Sequence, residues 1–174
     1  MSLYQDFKPS ILFLAKFIGL YIILNIAYGF YLDASKGDAD VVTKIVTEQT
    51  AWIIDLYEDQ ISTGPTEDLK SIFIYQGENP ILSVYEGCNG LNVMIIFLSF
   101  LIAFGTIGKK MLWFIPTGII VIHLFNLLRI LLLFHVTISM PEFLYFSHKY
   151  LFTAFIYIAV FGMWALWILK INDK

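Results

Sequence analysis

Three polar residues stand out in an otherwise apolar chain of 174 residues: Cys88, Arg129 and His148. Cys88 is the single cysteine, and in the stretch YEGCNGLN it has an acid, two glycines and two amides as neighbours. A thiolate is a nucleophile, and a nearby cation lowers the thiol pKa. A histidine can take the thiol proton and later give one to a leaving amine. An arginine can stabilise an oxyanion or hold a substrate carboxylate. Together these residue types are typical of thiol acyl transfer.

The composition is that of an integral membrane protein. The chain is 59% hydrophobic and 14% charged, whereas soluble domains carry about 25% charged residues. Four apolar runs are long enough to cross a bilayer, which takes about 17–25 helical residues. We therefore predict a single polytopic membrane domain, an all-α integral membrane protein with about four transmembrane helices and an acidic extracytoplasmic segment. The predicted spans are 11–30, 88–107, 111–134 and 150–171, with extracytoplasmic stretches at 31–86 and 135–149.

Lysines near the ends of the apolar runs predict the orientation. They lie before the first span, between the second and third, and after the fourth, at Lys8, Lys109, Lys110, Lys170 and Lys174. All three places are on one side of the membrane, and basic residues of short loops face the cytoplasm. We therefore expect a multi-pass protein of the inner (plasma) membrane with both termini cytoplasmic. The first run is longer than the apolar core of a signal peptide, which favours an uncleaved span over a cleaved signal.

The segment 31–86 is acidic. It holds eleven of the fourteen acids of the chain, a bias that argues against binding of nucleic acid or of an anionic lipid surface by this segment. Apolar residues recur at a helical period from 41 to 61, with Asp38 or Asp40 as the cap of this helix. The stretch SIFIYQGENPILSVY then predicts two short extended pieces around a turn. We expect the amphipathic helix to lie on the membrane or on the bundle; a lid or substrate-docking face is the alternative.

The three polar residues are predicted to lie at one depth in the membrane. A helix rises 1.5 Å per residue, so Cys88, Arg129 and His148 lie about 31, about 28 and about 33 Å from the nearest cytoplasmic lysine. The hydrocarbon core is about 30 Å thick. All three residues should therefore meet near the outer interface, where they form a Cys-Arg-His constellation.

Each of these residues also has a purely structural interpretation. A lone membrane cysteine is usually a small core residue, and His148 beside Lys149 can serve as an interfacial anchor. Arg129 is harder to explain in this way, because an arginine within a span is costly and normally faces the bundle interior. Asn126 and His123 share its helix face, which leaves a small transporter or channel as a weak alternative.

Five further residues are predicted to position the substrate or to support the catalytic three: Glu86, Asn89, Gly90, Asn126 and His135. His135 also competes with His148 for the histidine role, since depth does not separate them. His123 lies about 20 Å from the cytoplasmic lysines, too deep to meet the thiol, and is expected to be a packing or hydrogen-bonded residue. The histidines have no HxH or HExxH spacing, so we expect no metal, and no cofactor either.

The motifs E-G-C-N-G-L (Glu86–Leu91) and N-L-L-R-I (Asn126–Ile130), followed by a histidine that opens the next span (His148), resemble the exosortase/archaeosortase family. The resemblance implies a polytopic membrane cysteine transpeptidase. Such an enzyme recognises a C-terminal sorting signal on an exported protein, consisting of a short motif, a transmembrane helix and a basic tail. It cleaves the signal and passes the acyl group to an acceptor. By the same resemblance, Cys88 is the nucleophile, Arg129 the cation that holds the oxyanion or substrate, and His148 the acid and base.

Two features depart from the family pattern. Many members have more spans, so this chain looks like a short member, most similar to the exosortase F subgroup. Asn89 also stands where Ser or Ala is commoner. The missing spans leave a partner membrane protein or self-association to complete the substrate groove. A non-catalytic scaffold or assembly subunit for a surface-protein export system is the alternative function.

Overall fold

The computed structural model of the protein describes residues 3–35, 37–66, 70–105 and 108–171. Most of this part is helical, with one small antiparallel sheet. The helices are α1 (Leu3–Ala34), α2 (Val41–Asp55), α3 (Leu91–Phe104), α4 (Lys109–Ser139) and α5 (Pro141–Ile171). The strands are β1 (Ile61–Pro65), β2 (Ser71–Gln76) and β3 (Asn79–Tyr85), and a 3₁₀ turn, Glu86–Cys88, follows β3.

Three of these helices, α1, α4 and α5, are long and apolar enough to cross a membrane. The helix α3 is also apolar, but its 14 residues span only about 21 Å, less than the hydrocarbon thickness of about 30 Å. The mostly helical membrane architecture is thus confirmed. The second predicted span, 88–107, differs in detail: the helix starts at Leu91, because Gly90 has a left-handed backbone (φ 85°) that interrupts a regular helix. The predicted connector 135–149 is mostly helical, since α4 continues to Ser139 and α5 starts at Pro141.

The helix α3 lies between α1 on one side and α4 and α5 on the other. Its Phe100 stacks on Trp164 of α5 with ring centroids 4.1 Å apart, and it meets Phe13 of α1 edge to face at 5.5 Å. Phe97 and Leu101 are fully buried in the same apolar cluster. Aromatic packing of this kind fixes the position of α3 in the bundle. It thereby also fixes the position of the 3₁₀ turn, Glu86–Cys88, that precedes α3.

The amphipathic helix predicted from 41 to 61 is observed as α2, which ends earlier, at Asp55. Of the two candidate caps, Asp40 is the one used: its side chain accepts hydrogen bonds from the backbone N–H groups of Val42 and Thr43. The chain then turns through Gln60, whose φ is positive (63°), and enters β1. Beyond Asp55 the backbone N–H groups of Tyr57 and Glu58 both bond to the carbonyl oxygen of Ile54, so the regular helix gives way to a turn before β1.

A second apolar cluster joins α2 to the sheet and to α4. Val46 and Ile54 of α2 are fully buried against Ile74 of β2, Val84 of β3 and Ile130 of α4. The predicted amphipathic helix therefore packs on the bundle and the sheet. Because Cys88 belongs to this cluster as well, the packing of α2 and the sheet fixes the end of the bundle that carries the thiol. We call it the sheet end.

The sheet has the order β1-β2-β3 with antiparallel neighbours. The two predicted extended pieces are observed as β2 and β3, joined by a turn in which Gly77 has φ 63°. The first strand, β1, was not predicted, because its Gly64 and Pro65 have the character of a loop. It forms by pairing along β2, from Ile61 opposite Gln76 to Pro65 opposite Ile72. The strand β3 leads directly into the 3₁₀ turn, so the sheet determines the position of Cys88.

Candidate active site

The structure places the Cys88 thiol beside the His148 imidazole, with Sγ and Nε2 3.3 Å apart. Cys88 comes from the 3₁₀ turn after β3, and His148 from a π-helical turn, Ser147–Leu151, near the start of α5. Single π-helical turns are uncommon and are often found at functional sites. The two side chains are 60 residues apart in sequence, and this contact has the geometry that a base needs to take a thiol proton.

His135, the other candidate for the histidine role, lies elsewhere. Its Nε2 is 3.3 Å from the hydroxyl of Tyr57, and its ring packs against the Tyr57 ring at 5.7 Å. His123 is also occupied: its Nε2 lies 2.8 Å from Oε1 of Gln49, so it joins α4 to α2. Among the three histidines, the structure therefore brings His148 to the thiol.

Arg129 of α4 approaches the same thiol from the bundle. The residue is 7% exposed, and its Nη2 lies 4.0 Å from Cys88 Sγ. Within the described residues its Nε has no hydrogen-bond partner. A buried cation without a full set of partners is costly, and each such N–H remains available to an incoming acceptor. The guanidinium thus contacts the thiol through Nη2 and keeps its Nε–H as a donor without a partner among the described residues.

Asn126 and Gly90 hold the backbone of the cysteine turn. The Asn126 side chain, one helical turn before Arg129, donates from Nδ2 to the carbonyl oxygen of Cys88 at 2.8 Å. Gly90 has φ 85°, and a Cβ there would lie 3.2 Å from Cγ of Asn126. Asn126 thus supports the turn from the α4 side, and glycine at position 90 leaves room for the Asn126 side chain.

Asn89 and the backbone of Glu86 connect the turn to α1 and α3. Asn89 is 1% exposed, and its Oδ1 accepts from the backbone N–H of Leu91 at 2.9 Å, which caps the start of α3. The carbonyl oxygen of Glu86 accepts from the hydroxyl of Tyr28 in α1 at 3.2 Å. Through these contacts the two residues fix the turn relative to α1 and α3.

Burial raises the pKa of the Cys88 thiol above its ordinary value, and the nearby Arg129 guanidinium, which lowers that pKa, does not offset the effect of burial. The sequence led us to expect the opposite balance, since a neighbouring cation favours the thiolate. The difference arises because β3, α2 and α4 enclose the thiol and remove it from water. At neutral pH the site thus holds a protonated thiol that needs a base.

Tyr85 is a residue of the site that the sequence analysis missed. Its ring lies 6.4 Å from the His148 ring, centroid to centroid, and it folds back over the turn. A Cβ on Gly87 would overlap this ring, so a larger residue there would have to displace the Tyr85 side chain. Strand alternation was the available signal, because Val84 is buried and its neighbour Tyr85 must point to the opposite face.

Comparison with known proteins gives one match. The family model described as transmembrane exosortase (EpsH) matches residues 10–169, which include most of each long helix and every residue of the site. No curated protein matches the chain. No solved structure matches it either.

Proposed function

Because the chain belongs to the transmembrane exosortase family, whose members are membrane enzymes that process sorting signals, we propose that it is a cysteine peptidase or transpeptidase. Its substrate is an exported protein whose C-terminal sorting signal contains a transmembrane helix. The observation that carries this proposal is the 3.3 Å contact between the Cys88 thiol and the His148 imidazole. Within the family, the motifs are most similar to those of the exosortase F subgroup.

The first step is the attack of the thiol on the peptide bond at the signal. His148 Nε2 takes the proton of Cys88 Sγ as the sulfur forms a bond to the carbonyl carbon. The carbonyl oxygen becomes an oxyanion. Arg129 supplies charge and N–H donors to this oxyanion, or to a substrate carboxylate, from its buried position. Its Nε, without a partner within the described residues, supports this role.

The second step is the departure of the amine. The C–N bond breaks, and the protonated His148 gives its proton to the leaving nitrogen of the C-terminal fragment. The N-terminal part of the substrate remains as a thioester on Cys88. An acceptor amine or a water molecule then attacks this thioester, loses a proton to His148, and releases the thiol. Attack by the amine completes a transfer, and attack by water completes a hydrolysis.

The site is proposed to lie at the outer face of the plasma membrane. The basic residues at the opposite end of the bundle, such as Lys109 and Lys110, support this orientation. A substrate helix in the bilayer would then present the residues just outside its outer end to the thiol. A partner membrane protein or a second copy of the chain would complete the groove that holds the substrate helix.

A membrane-impermeant maleimide added to intact spheroplasts is expected to label Cys88, the single cysteine of the chain. Only the thiolate reacts, and burial raises the pKa of this thiol. The labelling rate should therefore keep rising with pH beyond the ordinary thiol pKa of about 8.5. Labelling that appears only after permeabilisation would reverse the proposed orientation.

Arg129→Met is the informative variant for the same measurement. It removes the cation that lowers the thiol pKa, so the rise of the labelling rate should move to still higher pH. Lys44→Met serves as the control, because it removes an exposed cation of α2. If the two variants have the same pH profile as the unaltered protein, Arg129 does not act on the thiol.

A further inference from the structure

A buried carboxylate, Asp40, lies behind the cysteine turn. It is 3% exposed and comes from the loop between α1 and α2, 48 residues before Cys88 by their numbers. Around it are Tyr28 and Tyr31 of α1, Thr43 of α2, and Asn89. We call these five residues the Asp40 cluster. The cluster joins two elements of the N-terminal half of the chain to the turn that carries the thiol.

The two carboxylate oxygens of Asp40 have separate tasks. Oδ1 accepts from the backbone N–H groups of Val42 at 2.9 Å and Thr43 at 3.1 Å, and from the Tyr31 hydroxyl at 3.2 Å. It thereby caps α2. Oδ2 accepts from the Thr43 hydroxyl and from Asn89 Nδ2, the latter at 3.4 Å. The first oxygen serves the helix, and the second reaches the residue next to Cys88.

Asn89 connects this carboxylate to the turn. Its Nδ2 also donates to the Thr43 hydroxyl at 3.2 Å and to the Tyr28 hydroxyl at 3.3 Å. Its Oδ1 accepts from the backbone N–H of Leu91, so the amide is held at both ends, at Oδ1 by the backbone and at Nδ2 by the cluster. The Tyr28 hydroxyl in turn donates to the carbonyl oxygen of Glu86. The cluster therefore holds the turn by hydrogen bonds to Glu86 and Asn89, on both sides of Cys88.

We propose that Asp40 is a positioning residue for the reaction at Cys88, acting through Asn89. This inference rests on the proposed function. Its carboxylate gives the Asn89 amide one fixed orientation, and Asn89 holds the turn so that Sγ stays within reach of His148. Displacement of a nucleophile by about 1 Å can cost on the order of 100-fold in rate, so such support has a measurable effect.

The proposal also explains the departure at position 89. A Ser or Ala side chain there is too short to join Asp40 and Tyr28 and to cap Leu91 at the same time. Asp40 and Asn89 thus form a pair in which each needs the other: a buried carboxylate requires donors, and the amide requires an acceptor. Within this chain, α1 and the start of α2 become part of the machinery that orients the thiol.

Asp40→Asn separates the two tasks of the carboxylate. The new Oδ1 can still cap α2, since Asn is as good a cap as Asp. Its NH₂ group, however, takes the place of Oδ2 and faces the NH₂ group of Asn89. With a reporter protein fused to the C-terminal tail of an exported protein of the same organism, kcat should fall by about 10-fold or more while KM stays within about twofold.

The reciprocal exchange provides the decisive comparison. Asn89→Asp alone places two carboxylates against each other and should lower kcat at least as much. In the double variant Asp40→Asn/Asn89→Asp, the donor and acceptor are exchanged. The carboxylate at position 89 can still accept from the backbone N–H of Leu91, and it can now accept from the Thr43 hydroxyl. We expect kcat to recover to within about threefold of the unaltered protein. Asp38→Asn, an exposed acid two residues before Asp40, should leave kcat unchanged.

The proposal is overturned if Asp40→Asn retains kcat at equal membrane abundance, or if the double variant is no better than the poorer single variant. Should either single variant fail to accumulate, Thr43→Val tests the same link without a new charge, and an unchanged kcat in that variant would overturn the proposal. The rate of Cys88 alkylation can be measured on the same variants, and this measurement needs no substrate. Failure of the proposed function would be seen separately, as processing that persists in Cys88→Ala.

Discussion

Replacing Cys88 by alanine is expected to abolish cleavage of the sorting signal, with a loss of at least about 1,000-fold in kcat. The thiol is the atom that forms the bond to the substrate carbonyl carbon, and no other cysteine exists in the chain to replace it. Cys88→Ser should be nearly as inactive, because a hydroxyl is a far poorer nucleophile at neutral pH. The measurement is the rate at which a tailed reporter loses its C-terminal fragment.

The alanine variant should remain folded. Cys88 is 4% exposed and borders the apolar cluster between α2, the sheet and α4, so removal of one sulfur atom leaves only a small cavity. Membrane abundance and thermal stability are therefore expected to match those of the unaltered protein. Processing at the full rate in Cys88→Ala would contradict the proposal, and the protein would then be a non-catalytic scaffold or assembly subunit.

Replacing His148 by glutamine is expected to lower kcat by about 100- to 10,000-fold. Its Nε2 is the base placed 3.3 Å from the thiol, and a glutamine amide cannot take a proton at neutral pH. Because burial raises the thiol pKa, very little thiolate forms without this base. The residual activity should rise as pH is raised, since hydroxide can then ionise the thiol directly.

The comparison with His135→Gln determines which histidine serves the reaction. His135 contacts Tyr57, so its loss is expected to change kcat by less than about threefold, the effect of one neutral hydrogen bond. Both variants must be compared at equal abundance in the membrane. A larger loss in His135→Gln than in His148→Gln would transfer the acid and base role to His135.

Much of the site could be predicted because helices have a constant rise. Counting from the lysines placed Cys88, Arg129 and His148 at one level, and the structure brings the three side chains together. The choice between His148 and His135 could not be made in this way. It depends on how α4 and α5 meet and on the π-helical turn that carries His148, and neither has a clear signal in a single sequence.

Contacts between segments that are distant in the sequence could not be predicted from the sequence. Asp40 was recognised as a helix cap, but its bond to Asn89 joins residues 49 positions apart, and no periodic pattern encodes such a contact. The strand β1 was missed because pairing with β2 overrides the turn character of Gly64 and Pro65. The direction of the Cys88 pKa shift was misjudged for a related reason, since burial depends on the tertiary packing.

The most direct test of acyl transfer through Cys88 is to trap the thioester. Protein in detergent would be mixed with a tailed reporter, quenched in acid and digested, and the peptide that contains Cys88 would be analysed by mass spectrometry. The proposal predicts that this peptide carries the N-terminal part of the reporter, and that neutral hydroxylamine releases it. Cleavage of the reporter without any adduct on Cys88, continuing in Cys88→Ala, would contradict it.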